Sequence, residues 1–288
     1  MRIYIAIATT GRPEILRKVV RHLSFQDRQP DGIVVVGAGR EDIAGLDAED
    51  ENLAILLADR GLCKQRNAAL RHIGKASDVV VFIDDDFVPA RDFLRRLEIL
   101  FRYRPEVVGA TGVLVADGAH GRPLTFEEAV WRLDRESERP PHRMTECRSL
   151  YGCNMAFRLD AAEGLRFDER LPLYGWQEDV DFTYQLGWRG KLVKTSELTG
   201  IHLGSRSGKT SGVRLGYSQV ANIAYLLRKG TIHGLTARTL MMRNIAANVV
   251  KSIVPEKDID RRGRLAGNIL AARDVLRGRI DPERIEAL

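Results

Sequence analysis

Val79-Val80-Val81-Phe82-Ile83-Asp84-Asp85-Asp86 joins five apolar residues to three carboxylates. A short unbroken apolar run reads as a strand buried on both faces. The acids then fall at its carboxyl end, where open α/β sheets hold their ligands. Three adjacent like charges repel one another, and a folded chain tolerates them best with a cation or hydrogen-bond donors among them. Oxygen ligands point to Mg2+ or Mn2+. Taken alone, the triplet has a second reading, a solvated acidic turn ahead of a helix near Pro89.

Working outward, Ile3 to Ala8 reads as a buried strand and Pro13 to Leu23 as a helix with proline in its first turn. Ile33 to Val36 and Leu53 to Leu57 are further apolar runs, and Leu62 to Ile73 a helix. After a helix over Arg91 to Phe101 comes a β-rich run, Val107 to Val115, and then a polar stretch with a helix over Glu127 to Arg135. A strand over Leu150 to Phe157, a helix from Trp176 to Gly187 and a strand Lys191 to Thr195 follow. Strand and helix in alternation predict an α/β fold with a mostly parallel, doubly wound mixed sheet. A Gly, Ser and Lys-rich loop, Gly204 to Gly216, precedes three helices, Tyr217 to Arg228, Thr236 to Ile253 and Arg262 to Leu276. Tyr225, Leu226, Ile245, Val249 and Ile269 are expected to pack these helices together. The expected division is a catalytic region over 1–204 and a basic helical appendage over 205–288.

The 288 residues are 44% hydrophobic and 29% charged, a globular composition large enough for one big domain or two small ones. No apolar run approaches the roughly 20 residues of a membrane span, and Ile3 to Ala8 is too short for a signal peptide. The expected location is cytoplasmic, at the inner face of a membrane if the basic tail binds there. Cys63, Cys147 and Cys153 have neither CxxC nor zinc-ligand spacing and read as buried thiols in a reducing compartment. Residues 205 to 288 hold 16 Lys and Arg against 7 Asp and Glu, a net of +9, while residues 1 to 204 carry −3. The tail reads either as solvated helix surface or as a face toward anionic lipid or a phosphate-bearing substrate. It lacks basic and aromatic interleaving and any helix-turn-helix or finger signature, so nucleic acid is not expected as a partner.

Two motifs fail on inspection. Gly37-Ala38-Gly39 opens like a dinucleotide fingerprint, but its third glycine position is Asp42. Gly204 to Thr210 resembles a phosphate loop with three residues between its glycines where the Walker spacing needs four.

Taken in order, Thr9-Thr10-Gly11-Arg12-Pro13, Gly61 with Gln65-Arg66-Asn67, Asp84 to Asp86, Gly152 to Arg158 including Asn154-Met155, and Gly175-Trp176-Gln177-Glu178-Asp179-Val180-Asp181 resemble family 2 glycosyltransferases over about residues 1 to 204. The resemblance implies a glycosyltransferase A fold, a nucleoside-diphosphate sugar donor and a hydroxyl of a glycan or lipid-linked acceptor. It also implies Asp86 as the direct metal ligand, with Asp84 at the ribose or metal and His202 completing the site in the manner of some of these enzymes. Asp85 either contacts nucleotide or shapes the turn. A lone histidine is as readily structural.

The same resemblance places the base of inverting transfer at Asp179, beside Glu178, where the positive end of a helix keeps a carboxylate ionised. Helix capping is the alternative for this pair. Trp176 and Glu178 are then sugar or acceptor contacts, an indole offering a flat apolar face and an N–H, with core packing the alternative for Trp176, and Asn154 lies on the strand that in the family lines the sugar pocket. Thr9, Arg12 and Arg66 are the candidates for nucleotide, Arg66 by bidentate pairing to a diphosphate or instead by pairing with Asp59 or a triplet acid. Where the family usually has an acid at the end of its second strand, this chain has Val36-Gly37-Ala38-Gly39, so UDP is only the default base. A nucleotidyltransferase of related fold and an inactive nucleotide-sugar-binding module are the alternatives. The first would want a glycine-rich loop after strand one, and the second is opposed by the acids at both 84–86 and 178–179.

Overall fold

In the computed structural model, residues 1–47, 49–119, 121–135, 141–205, 211–253 and 259–288 are described. Along the chain run β1 (Ile3–Thr9), α1 (Pro13–Leu23), β2 (Gly32–Gly37), β3 (Leu53–Leu57), α2 (Leu62–Ile73), β4 (Val79–Asp84) and β5 (Phe87–Pro89). Then come α3 (Phe93–Tyr103), β6 (Val107–Asp117), α4 (Phe126–Leu133), β7 (Met144–Glu146), β8 (Asn154–Arg158), α5 (Glu178–Leu186) and β9 (Lys191–His202). Three longer helices follow, α6 (Gly212–Lys229), α7 (Gly234–Ile253) and α8 (Arg261–Leu276). The chain forms two compact units: Met1–Arg60 with Lys64–Arg166 and Gln185–Gly208, and Gly61–Cys63 with Phe167–Tyr184 and Lys209–Leu288.

The first unit contains the sheet, ordered β3-β2-β1-β4-β8-β6-β9-β5, with β7 paired to β9. β3, β2, β1 and β4 are parallel, and β8 runs antiparallel between β4 and β6. The fold is therefore the expected mixed, mostly parallel α/β sheet with helices at the carboxyl-terminal end of the chain. β2 is buried at every residue, as Gly32-Ile33-Val34-Val35-Val36-Gly37 demands. α1 turns Leu16, Val19 and Leu23 inward, each fully buried side chain contributing about 1.5–3 kcal/mol.

Strand order reverses at β1, since β2 and β3 lie on one side of it and β4 on the other. That crevice lies at the carboxyl ends of β1 and β4, between Thr9 and Asp84. Register brings other segments to the same place. Asn154 pairs with Ile83, Phe87 with His202, and Asp117 with His202. β6 and β9 reach this last pairing through three register shifts, between Val107 and Gly109, Gly112 and Val113, and Leu114 and Ala116. Just past β9, Gly204 has φ +69, and an added Cβ would strike the backbone of Gly118 and Ala119, so glycine is required there.

In the second unit α6 and α8 cross closely. An added Cβ on Gly216 would meet the Arg264 backbone, and one on Gly267 would meet the backbone of Val213 and Tyr217. Tyr217, Val220, Ala221, Ala271 and Ile285 form its apolar cluster. A buried polar knot joins the three helices: Asn248 Nδ2 donates to Gln219 Oε1 and Asn268 Oδ1, both at 2.8 Å. Of the five residues expected to pack these helices, Leu226 is buried and Ile245 packs on the cluster, while Tyr225 is half-buried and donates to Asp168. Val249 and Ile269 are instead exposed, because α7 and α8 turn Asn248 and Asn268 inward. Of the loop expected over 204–216, residues 206–210 lie outside the described residues. Among the described residues, no helix is long and apolar enough to cross a membrane.

Candidate functional site

The triplet's three carboxylates do different work. Asp84 ends β4 with its side chain about one-third exposed, whereas Asp85 and Asp86 are buried in the turn before β5. Asp85 accepts the Thr9 hydroxyl at 2.7 Å and the Arg12 guanidinium at 2.7 Å. Arg12 also reaches Asp86 at 3.0 Å, so one cation bridges the pair. Burial pushes the Asp85 carboxyl up to about 7, with Arg12 and Thr9 opposing it. Burial likewise acts to raise Asp86, but hydrogen bonding from His202 and the charge of Arg12 outweigh it, and Asp86 lies below the usual carboxylate range.

His202 stands over this group. Its Nε2 lies 3.3 Å from Asp86 Oδ1 and 3.8 Å from Asp84 Oδ2. Its Nδ1 lies 3.0 Å from Asp117 Oδ1, and Tyr151 donates to the other oxygen of that carboxylate at 3.3 Å. Burial acts to lower the imidazole, yet hydrogen bonds to Asp117 and Asp86 and the nearby charges raise it to about 10. So protonated, it neutralises part of the acid cluster, a role a divalent ion would take over with neutral imidazole as ligand.

These residues fit such an ion. One ligand atom from each of Asp84, Asp86 and His202 lies within 4.8 Å of the others. Asp86 Oδ1 is buried without a well-aligned hydrogen bond among the described residues, an acceptor suited to a cation. Asp117 on Nδ1 fixes the tautomer that aims Nε2 at the acids, as second partners of metal-bound histidines do. Two carboxylates and an imidazole suit Mn2+ and tolerate Mg2+.

Arg66 on α2 is buried over the Phe82 ring, donates to the Gly152 carbonyl at 2.9 Å and lies 3.5 Å from Asp84. Asp59, its other suggested partner, faces Lys64. Asn154, fully buried at the start of β8, accepts from the Thr111 hydroxyl at 2.5 Å through Oδ1; its amide nitrogen has no partner among the described residues. Thr9, Arg12, Arg66, Asp84, Asp85, Asp86, Asn154 and His202 thus belong to one unit and gather at the ends of β1, β4, β8 and β9.

Trp176, Glu178 and Asp179 form a second group, in the second unit. Trp176 lies within, and Glu178 and Asp179 just after, a loop in which Leu173, Gly175 and Gln177 have φ of 57°, 64° and 71°. For the two non-glycine residues this costs on the order of 1–2 kcal/mol each, a cost that clusters at functional loops. The loop is held: Asn222 donates to the Trp176 carbonyl at 3.0 Å, and the Trp176 ring stacks near Tyr174 with centroids 6.3 Å apart. Glu178 is buried and Asp179 half-buried at the amino end of α5, where the Asp179 carboxylate accepts the Val180 N–H at 2.8 Å. Asp181 is fully buried and structural, accepting from Lys229 at 2.7 Å and Thr231 at 2.5 Å.

Sequence reasoning missed three supports. Asp42 is buried and accepts three backbone N–H groups, from Gly11 at 2.6 Å, Ala38 at 3.0 Å and Gly39 at 2.8 Å. It ties the loop after β1 to the loop after β2. Gln65 donates to the carbonyls of Thr9 and Val36, both at 2.8 Å, fastening the same two strand ends. Asp117, like the triplet, is an acid at the carboxyl end of an apolar run, a signal that was present.

Comparison with known proteins agrees with this architecture. Residues 4–166 match the family model for glycosyl transferase family 2. A glucosyl-dolichyl phosphate glucuronosyltransferase of Haloferax volcanii is 28% identical over 170 residues, 56% of this chain and 53% of that protein. The chain spans about half the length of this curated relative. Among solved structures, S. aureus TarS 1-349 aligns with TM-score 0.59 at 14% identity, over 100% of this chain and 83% of that one. GalNAc-T7 with UDP, GalNAc and Mn2+ aligns at 0.54 and 14%, over 88% and 58%. The mannosyltransferase PcManGT from Pyrobaculum calidifontis, in complex with GDP-Man and Mn2+, aligns at 0.51 and 17%, over 96% and 87%. At these identities the structures share the fold, which is glycosyltransferase A.

Proposed function

The chain belongs to glycosyl transferase family 2, and we propose that it is an inverting, metal-dependent transferase. It moves a sugar from a nucleoside-diphosphate sugar, UDP-linked by default, to a hydroxyl of a glycan or lipid-linked acceptor in surface polysaccharide or glycolipid synthesis. The observation that carries the reading is the convergence of Asp84, Asp86 and His202 at the strand-order reversal, beside Arg12. UDP or GDP-mannose with Mn2+ in the similar structures supports a nucleotide-sugar donor here.

In this reading Thr9, Arg12 and Asp84 frame the nucleotide, and Asp85 serves it indirectly, by holding Thr9 and Arg12. Arg66 lends positive charge beside Asp84. A divalent ion held by Asp84, Asp86 and His202 would neutralise charge on the departing diphosphate, a contribution of several kcal/mol. Asp179 takes the proton of the acceptor hydroxyl as its oxygen attacks the anomeric carbon. The bond from that carbon to the diphosphate oxygen breaks, and its electron pair leaves with the diphosphate. Trp176 and Glu178 orient acceptor or donor sugar, with Asn154 contributing its buried amide to the sugar pocket.

The test is thermal melting with Mn2+ and a panel of nucleoside diphosphates. A ligand at 100 times its Kd stabilises the native state by about 2.7 kcal/mol, a rise of several degrees for a chain of this size. The expected result is a rise that needs both metal and nucleotide and is lost in Asp86→Ala. No rise with any nucleotide would overturn the reading.

A further inference from the structure

Among the described residues, one face of helix α7 is left exposed. Ala237 and Asn248 are buried, whereas Leu235 is 71% exposed, Met242 64%, Val249 42%, Val250 63% and Ile253 77%. Residues advance about 100° around a helix, so these five and exposed Ala246 fall within one mostly apolar stripe about 100° wide, which exposed Thr239 shares as its one polar member. Arg238 lies on one margin of the stripe and Arg243 on the other, both exposed. Between Gly234 and Ile253 there is no Asp or Glu.

We propose that α7 docks the protein on an anionic lipid surface, lying in the plane of the interface with its stripe toward the acyl chains. Arg238 and Arg243 then reach the headgroup phosphates while their methylenes cover apolar surface. Two things on the helix select this occupant. Cations flank the stripe on both sides with no acid to repel phosphate, and the stripe is a convex ridge about 27 Å long, which a deformable interface accommodates without a matching groove. The inference deepens the transferase reading and rests on it for the meaning of the contact, which brings the chain to a lipid-linked acceptor.

The experiment is co-sedimentation of the full chain with phosphatidylcholine vesicles and with an equimolar mixture of phosphatidylcholine and phosphatidylglycerol. Wild type is expected to pellet with the anionic vesicles, less so as salt rises, and to stay in solution with the neutral ones. The double variants Met242→Asp with Val250→Asp, and Arg238→Glu with Arg243→Glu, are expected to lower binding at least about tenfold. All are exposed positions, and an unchanged melting temperature shows that each variant folds. Absence of wild-type binding to anionic vesicles overturns the proposal, as does binding that either variant leaves intact. If wild type instead self-associates without binding vesicles, and the Met242→Asp, Val250→Asp variant is monomeric, the stripe is an interface between copies and the proposal falls. The nucleotide and Mn2+ melting shift, read on the same samples, fails or stands separately from vesicle binding.

Discussion

Asp117 holds His202 by its far nitrogen: the Nδ1 of the imidazole is 3.0 Å from the Asp117 carboxylate, and its Nε2 is thereby turned to Asp86. Asp117→Asn should weaken Mn2+ binding by about 10–100-fold while the melting temperature without ligand stays close to wild type. Titration of Mn2+ followed by electron paramagnetic resonance reads the affinity directly. Equal affinity in the two proteins would remove Asp117 from the metal site.

Asp42 clasps the two loops that follow β1 and β2, alongside Gln65, which ties the ends of the same two strands. Asp42→Ala strips acceptors from three backbone N–H groups, and the cost should be about 2–4 kcal/mol in urea unfolding. Donor binding should weaken with it, since Gly11 stands next to Arg12. A loss below about 1 kcal/mol would mean that water or a neighbouring side chain replaces the carboxylate.

Asp179→Asn keeps the size of the side chain and an acceptor for the Val180 N–H, but cannot take a proton. Transfer should be abolished, with nucleotide and metal affinity within about twofold of wild type. Retained transfer would place the base elsewhere.

Asp168 offers a test by pH. Burial acts to raise its carboxyl, but hydrogen bonds from Lys229 at 2.6 Å and Tyr225 at 2.8 Å prevail and hold it below the usual range. A depressed folded pKa stabilises the native state above the unfolded value of about 3.9, and this is lost as pH falls through the folded value. Lys229 is raised, so its share is present below its unfolded value of about 10.4 and fades as pH climbs past that. The stability gap between wild type and Asp168→Asn should therefore be flat near neutrality and shrink on acidification below about pH 4. A gap that widened with acid would contradict the pairing.

Much of this was legible in the sequence. The strand Val79 to Ile83 with acids at its end, the helix opened by Pro13 and the alternation of elements all carry local signals, and the structure has them within a few residues. What escaped depends on pairing rather than pattern. β9 runs on to His202, beyond the expected Thr195, because β5 and β6 supply partners to Thr199, Gly200 and Ile201 that no local preference announces. Asp42 looked only like a missing glycine, since three backbone donors converge on it from two loops. Val249 looked like core because periodicity identifies an apolar face without saying whether anything lies against it, and here the inward face of α7 carries Asn248.

The irregular pairing of β6 with β9 makes the geometry of the carboxylate–histidine cluster a matter of parity. Successive residues of a strand point to opposite sides, so each extra residue at a shift reverses what the far end presents. Val115 is the extra residue between the Leu114 and Ala116 pairings, just before Asp117 meets His202. Deleting it would carry Asp117 to the other side of the sheet without changing any residue of the site. The spacing of the chain, as much as its chemistry, decides whether that histidine has its anchor.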